Sequence, residues 1–136
     1  METSMKWDGG MKFSATSAHG LSISTDAGKK GGGNEDGYKP TELLLWGIAG
    51  CTGIDVVRVL EKKRQKLESL EIFVEADQND EYPKPFHTIR VRYVATGDVS
   101  EKALAQAIEL SEGKYCVVSQ TVQQPTTVTT SYEIRR

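Results

Sequence analysis

Residues 40–64 read PTELLLWGIAGCTGIDVVRVLEKKR, the longest apolar run of the chain, with Cys51, one of only two cysteines, in its middle. Pro40 suits the first position of a helix, where its missing N–H costs nothing. Glu42 follows in the first turn, where a carboxylate meets the positive end of the helix dipole. Leu43 to Trp46 and Ile48 to Cys51 are apolar or small in every direction, which predicts a helix buried all round, while the end from Arg58 to Glu68 is charged and runs out into solvent. Gly47, Gly50 and Gly53 recur every third residue. Each costs about 1 kcal/mol relative to alanine inside a helix, so something must offset roughly 3 kcal/mol. Close approach of another backbone, from this chain or from a partner subunit, is the simplest account. A thiol beside such a stripe lies in a tight crevice, which is the expected active site. The plainer alternative makes Cys51 one more small core residue.

The rest of the composition narrows the function. With 136 residues, 38% of them apolar, the chain is expected to form one domain, residues 1–136, with enough apolar material for a core. A net charge of −2 and the lack of any basic stripe beyond Lys62 to Lys66 argue against nucleic acid. METSMKWDGG at the start has no apolar stretch of signal-peptide length, and Leu43 to Ala49 is too short a run to span a bilayer, so a cytoplasmic protein without membrane contact is expected. The cysteines stand 65 positions apart and give neither a CxxC redox motif nor, alone, the ligand count of a zinc site. They are either unrelated core thiols or a redox pair brought together by folding.

Before the helix, Met5 and Trp7, then Met11, Phe13 and Ala15, then Leu21 and Ile23 alternate with polar residues around Asp8-Gly9-Gly10 and Ala18-His19-Gly20, which predicts a small antiparallel meander. His19 falls in a turn with no role assigned. Residues 27–37, AGKKGGGNEDG, read as a mobile loop able to flex over the crevice. They lack the GxxxxGK[ST] spacing of a phosphate loop. After the helix, Leu70, Ile72, Val74 and Ala76 predict one strand and His87, Ile89, Val91 and Tyr93 its hairpin partner, with Arg90 and Arg92 on the solvated face. Ser100 caps a helix to Leu110, ended by Gly113 as a left-handed residue. A second short helix begins near Tyr115, with Cys116 in its first turn and Pro125 stopping it. Val128, Thr130, Tyr132 and Ile134 then alternate as a last strand.

The two thiols have opposite local chemistry. Cys116 at a helix start feels the positive end of the dipole, which favours the thiolate. Cys51 has Asp55 one turn away, and that charge disfavours its thiolate unless Arg58, three residues on, neutralises the carboxylate. Cys116 is then the better intrinsic nucleophile and Cys51 the more enclosed thiol.

KPTELLLWGIAGCTGIDVVRVLEKKR, followed by LSEGKYCVVSQTV and a closing TTSYEI, resembles the OsmC/Ohr family of organic-hydroperoxide reductases across nearly the whole chain, and is most similar to its YhfA-like branch. The resemblance implies an α+β fold in which antiparallel sheets wrap two central helices in an intertwined homodimer. It implies that Cys51 attacks the peroxide O–O bond and that Cys116 condenses with the resulting sulfenic acid to a disulfide. A dithiol reductant, lipoyl-type or thioredoxin-like, then restores both thiols, and no metal or organic cofactor is required.

Two departures from the family pattern stand out. The family's peroxidases use an arginine from the N-terminal strands or the loop after them, and this chain has none before Arg58, so Lys12, Lys39 or Arg58 must supply the charge without the planar fork or with a displaced one. Their catalytic carboxylate commonly stands ten positions before the cysteine. Glu42 is nine before Cys51, on the opposite side of an unbroken helix, and acts only if the helix starts later or if it reaches in from a partner subunit. The sequence therefore points to a thiol peroxidase for small organic hydroperoxides, with Cys51, Cys116 and Glu42 as site residues and an apolar substrate suited to Leu43, Trp46 and Ile48. The competing expectations are a non-catalytic dimer that binds a small apolar ligand or senses oxidants through the same thiols, and a protein whose cysteines only pack.

Overall fold

The computed structural model describes residues 1–135. Alternating residues of the first segment form three short antiparallel strands, β1 (Lys6–Trp7), β2 (Phe13–Thr16) and β3 (Ser22–Thr25), in the order β1-β2-β3. Register pairs Trp7 with Phe13 and Ala15 with Ile23, as the alternation requires. His19 lies exposed in the turn between β2 and β3.

Residues 27–37 depart from the expected mobile loop. They hold a single 3-10 turn, Lys29–Gly31, and fold back so that Tyr38 bridges Thr25 in parallel. The cause is Asp26, 3% exposed, whose carboxylate accepts the N–H groups of Ala27 at 2.8 Å and of Asn34 and Asp36 at 3.1 Å each. Gly37 is required there, because a Cβ would meet the Ser24 carbonyl oxygen at 2.7 Å.

Helix α1 spans Pro40–Lys62, with Glu42 Oε1 accepting the N–H of Lys39 at 3.1 Å to satisfy one orphan donor of the first turn. The helix is not buried all round as expected. Only the line Ile48, Thr52, Val56, Leu60 is fully buried, one residue per turn, while Leu44, Trp46 and Ile54 remain exposed. Within one chain the neighbouring elements cover a single side of it. By length and apolarity α1 is able to cross a bilayer, although the run from Leu43 to Ala49 alone is not. Its buried Thr52, hydrogen-bonded to Tyr93 and Ser111, instead marks it as a core helix.

Beyond α1, Arg64 takes a left-handed φ of 55° and reverses the chain into β4 (Lys66–Gln78), which pairs with β5 (Phe86–Asp98) as a long antiparallel hairpin. Leu70, Ile72, Val74 and Ala76 face inward with Ile89, Val91 and Tyr93. On the solvent side Arg90 pairs with Asp77 at 2.7 Å and Glu75 at 3.1 Å, and Arg92 lies over the Phe73 ring. Helix α2 (Glu101–Leu110) is capped by Ser100, whose Oγ accepts the N–H of Ala103 at 3.1 Å. Val56, Leu60, Ala103 and Ala107 form the core between α1 and α2, flanked by Leu67, Leu70 and Tyr93 from the hairpin.

Two further expectations fail in the last third. Gly113 is not a left-handed terminator, because α2 runs directly into a wide π-turn, Ser111–Tyr115, before α3 (Val117–Gln123). The alternation from Val128 to Ile134 forms no strand. Residues 128–134 pair with no other strand among the described residues.

Candidate functional site

Folding brings the two cysteines together. Cys51 stands half-buried on α1, one residue before the buried line. Cys116 follows the π-turn in an extended conformation and caps α3, its Sγ accepting the N–H of Ser119 at 3.3 Å. The two sulfurs and a carboxylate oxygen of Asp55 lie within 4.8 Å of one another.

The expected ranking of enclosure is reversed: Cys116 is fully buried (0% exposed) and Cys51 is the accessible thiol. The expected ranking of acidity holds. Burial pushes the Cys116 thiol up, but the Ser119 hydroxyl, the Cys51 thiol and the N–H groups of Ser119 and Val118 together hold it below its ordinary value. Burial pushes the Cys51 thiol up. The Val118 N–H partly offsets that, and the Cys116 sulfur and the Asp55 charge add to it.

Asp55 is held by a partner that the sequence did not suggest. The Ser111 Oγ lies 2.9 Å from Asp55 Oδ2, and no lysine or arginine forms an ion pair with Asp55 among the described residues, so Arg58 does not neutralise it. Ser111 Oγ is 2.9 Å from Thr52 Oγ1, which is 2.9 Å from the Tyr93 hydroxyl, itself 3.4 Å from Glu112 Oε1. A carboxylate only accepts, so the Ser111 hydroxyl donates to Asp55 and Thr52 must donate to Ser111. The Tyr93 proton is then the one that faces Thr52 and Glu112. This chain of buried hydroxyls fixes the carboxylate beside the thiols. Its signal in the sequence was the pair Thr52 and Asp55, two polar residues next to Cys51 in an otherwise apolar helix.

The remaining candidates have partners of their own. α1 starts at Pro40, which closes the route in which a later start turns Glu42 toward the thiol within its own helix, and Glu42 acts as a first-turn hydrogen-bond acceptor. Lys12 is engaged by Asp36 at 2.8 Å, a hydrogen bond and charge pairing that raise its pKa. Of the glycines, Gly50 faces open space and Gly53 meets only the Ile72 side chain, at 3.1 Å, so among the described residues no backbone approaches these two. Gly50 and Gly53 instead border an open groove with Ile54, Val57, Leu70 and Ile72. A separate cavity of about 390 Å³ is walled by Ile48, Phe86, Ile89, Val91 and Val122 and reaches Ser119, the residue whose N–H bonds the Cys116 sulfur. His87 also borders it, exposed and with Nδ1 2.9 Å from Thr88 Oγ1.

Known proteins resemble this chain in sequence and fold. Residues 32–131 match the model of the OsmC-like protein family. Protein YhfA of Escherichia coli K12 is 33% identical over 135 residues, 98% of each chain. A solved structure of a hypothetical protein from Aquifex aeolicus VF5 is 36% identical, covers 90% of this chain and 86% of its own, and superposes with a TM-score of 0.79. The organic hydroperoxide resistance protein OsmC of Legionella pneumophila shares the fold at 18% identity, with a TM-score of 0.68 and 90% of each chain covered. The α+β fold is therefore the OsmC-like fold, and this chain belongs to the OsmC-like protein family.

Proposed function

We propose that the protein reduces organic hydroperoxides through a two-cysteine cycle in which Cys51 attacks and Cys116 resolves. The observation that carries this reading is the pair itself: the chain's only two cysteines lie within 4.8 Å of each other, beside a fixed carboxylate. Their asymmetry supports the division of roles. Cys51 is partly exposed, as an attacking thiol requires, whereas Cys116 is fully buried beside it.

In the cycle the Cys51 thiol gives up its proton and the thiolate attacks one peroxide oxygen. The O–O bond breaks, and the alkoxide takes a proton and leaves as the alcohol. Cys51 is now a sulfenic acid. The Cys116 thiolate, already favoured by its N–H donors, attacks the Cys51 sulfur, and the hydroxyl leaves as water once protonated. A lipoyl-type or thioredoxin-like dithiol reduces the disulfide, and no metal or organic cofactor takes part. The cavity beside Ser119, where Ile48, Phe86, Ile89, Val91 and Val122 meet the polar His87, Glu112 and Gln123, suits a substrate with a hydrocarbon tail and a polar end.

The cycle runs in a cytoplasmic homodimer of single-domain chains, residues 1–136, with Glu42 reaching the thiols of the partner subunit. The exposed apolar groove along Gly50 and Gly53 supports the dimer, and the family match, which runs unbroken from residue 32 to 131, supports a single domain.

Counting free thiols and measuring intact mass after one equivalent of cumene hydroperoxide tests the reading. Both thiols should vanish with a mass loss of about 2 Da, and Cys51→Ser should abolish the reaction. If Cys116→Ser instead blocks the first oxidation, the roles are exchanged. If both thiols survive a large excess, the protein is not a thiol peroxidase, and the cavity becomes the candidate site for a small apolar ligand.

A further inference from the structure

We propose that Cys51, Cys116 and Asp55 bind one soft divalent cation of the zinc type, and that binding it and closing the disulfide exclude one another. The binding rests on the geometry of these three residues. Its consequence, that the cation holds the thiols out of the redox cycle, rests on the peroxidase reading above.

Two cysteines alone fall short of a zinc site, and the fold supplies the missing ligand. The two sulfurs and one Asp55 oxygen lie within 4.8 Å of one another. A tetrahedral zinc with Zn–S near 2.3 Å and Zn–O near 2.0 Å sets its donor atoms roughly 3.5 to 3.8 Å apart, so closing on the ion asks for movements of about 1 Å, within reach of side-chain rotation. Ligation also needs a carboxylate held by outer partners. Asp55 has one: Ser111 donates to Oδ2, and Ser111 and Thr52 behind it are both buried. No hydrogen bond occupies Oδ1 among the described residues, so the carboxylate keeps an acceptor beyond the one Ser111 uses.

Charge and softness point the same way. No lysine or arginine forms an ion pair with Asp55 among the described residues, so the cluster gathers a carboxylate and two potential thiolates without a counter-ion. Two sulfur donors favour zinc and its soft congeners over magnesium or calcium, which want an all-oxygen shell. The half-buried Cys51 provides the way in, and three protein ligands leave a fourth position for water. Each cysteine binds as its thiolate, releasing any proton it carries, and nothing is oxidised. A disulfide removes both sulfur donors at once, and one carboxylate cannot retain the ion. A bound ion in turn occupies the electron pair with which Cys51 attacks a peroxide.

The test is titration of the reduced, chelator-stripped protein with cobalt(II), followed by competition with zinc(II). One cobalt per chain should bind with a thiolate charge-transfer absorption, and zinc should displace it stoichiometrically. The peroxide-oxidised or diamide-oxidised protein should lose the band. Cys51→Ser, Cys116→Ser and the isosteric Asp55→Asn should each weaken zinc binding at least tenfold, with circular dichroism confirming that each variant is folded. Absence of the charge-transfer band, equal binding by reduced and disulfide forms, or unchanged affinity in Asp55→Asn overturns the site. The reduced-against-oxidised comparison needs no variant, so a misfolded mutant does not blunt the test. Thiols that bind cobalt but resist peroxide overturn the peroxidase reading and leave the site standing. Thiols that cycle with peroxide but give no cobalt band do the reverse.

Discussion

At the scale of single residues, the least legible feature was the hydroxyl chain from Tyr93 to Asp55. Arg58, three residues from Asp55 on the same helix, is the obvious partner by spacing, yet Ser111, 56 positions away, holds the carboxylate. Helical spacing says which residues are near, and a buried donor from another element outcompetes a solvated cation. The same distant π-turn carries Cys116 to full burial, which no local pattern announces. Thr52 is the link that can be tested, since its hydroxyl bonds both Ser111 and Tyr93 at 2.9 Å. Thr52→Val keeps the shape but leaves Ser111 without its donor and leaves Tyr93 only the more distant Glu112 as acceptor. A loss of about 1 to 3 kcal/mol of stability is expected in urea unfolding, because the fully buried Ser111 hydroxyl loses its donor. A change below about 0.5 kcal/mol would mean that the hydroxyls find other partners and that the chain does not position Asp55.

At the scale of elements, the sequence was most informative where an element satisfies itself. Pro40 and Glu42 marked the start of α1, Ser100 marked the start of α2, and period-two alternation marked the β4–β5 hairpin, because caps and pleats are local facts. The segment 27–37 was misread because glycine content signals freedom, whereas the order comes from one carboxylate just outside it. The N–H of Asp36, followed by those of Asn34 and Ala27, holds the Asp26 carboxyl below its ordinary range. Its folded pKa lies below its unfolded value, so the stabilisation is present above the unfolded pKa and fades as pH falls through the folded one. Amide exchange at Asn34 and Asp36, taken relative to the intrinsic rate at each pH, should therefore quicken below the ordinary carboxylate pKa of 3.8. In Asp26→Ala it should be fast at neutral pH as well. Protection at both amides that survives the substitution would show that the turn stands without the carboxylate.

At the scale of the whole molecule, three failed expectations share one cause: several patterns in this chain have no partner within it. Among the described residues Gly50 and Gly53 meet no backbone, the apolar helix is covered on one side, and the C-terminal alternation forms no ladder. Sequence patterns encode a surface to be covered without saying which chain covers it. Ile54 at 59%, Val128 at 81% and Tyr132 at 91% exposure are costly to leave in water together. A second copy is the expected cover, with the groove along Gly50 and Gly53 receiving a helix closely and residues 128–134 adding a strand to the other subunit. Light scattering at micromolar concentration should give twice the chain mass. Ile54→Glu forfeits roughly 2 kcal/mol of apolar burial, twice over in a two-fold interface, and should weaken the dimer by about a thousandfold. Truncation after Gln124 should also yield monomers, by removing the strand that crosses over. A wild type that is monomeric under these conditions would sink the dimer, and with it any contribution of Glu42 to a partner's thiols. A dimer that survives Ile54→Glu would place the contact on another face, and the glycines would be left without a packing role.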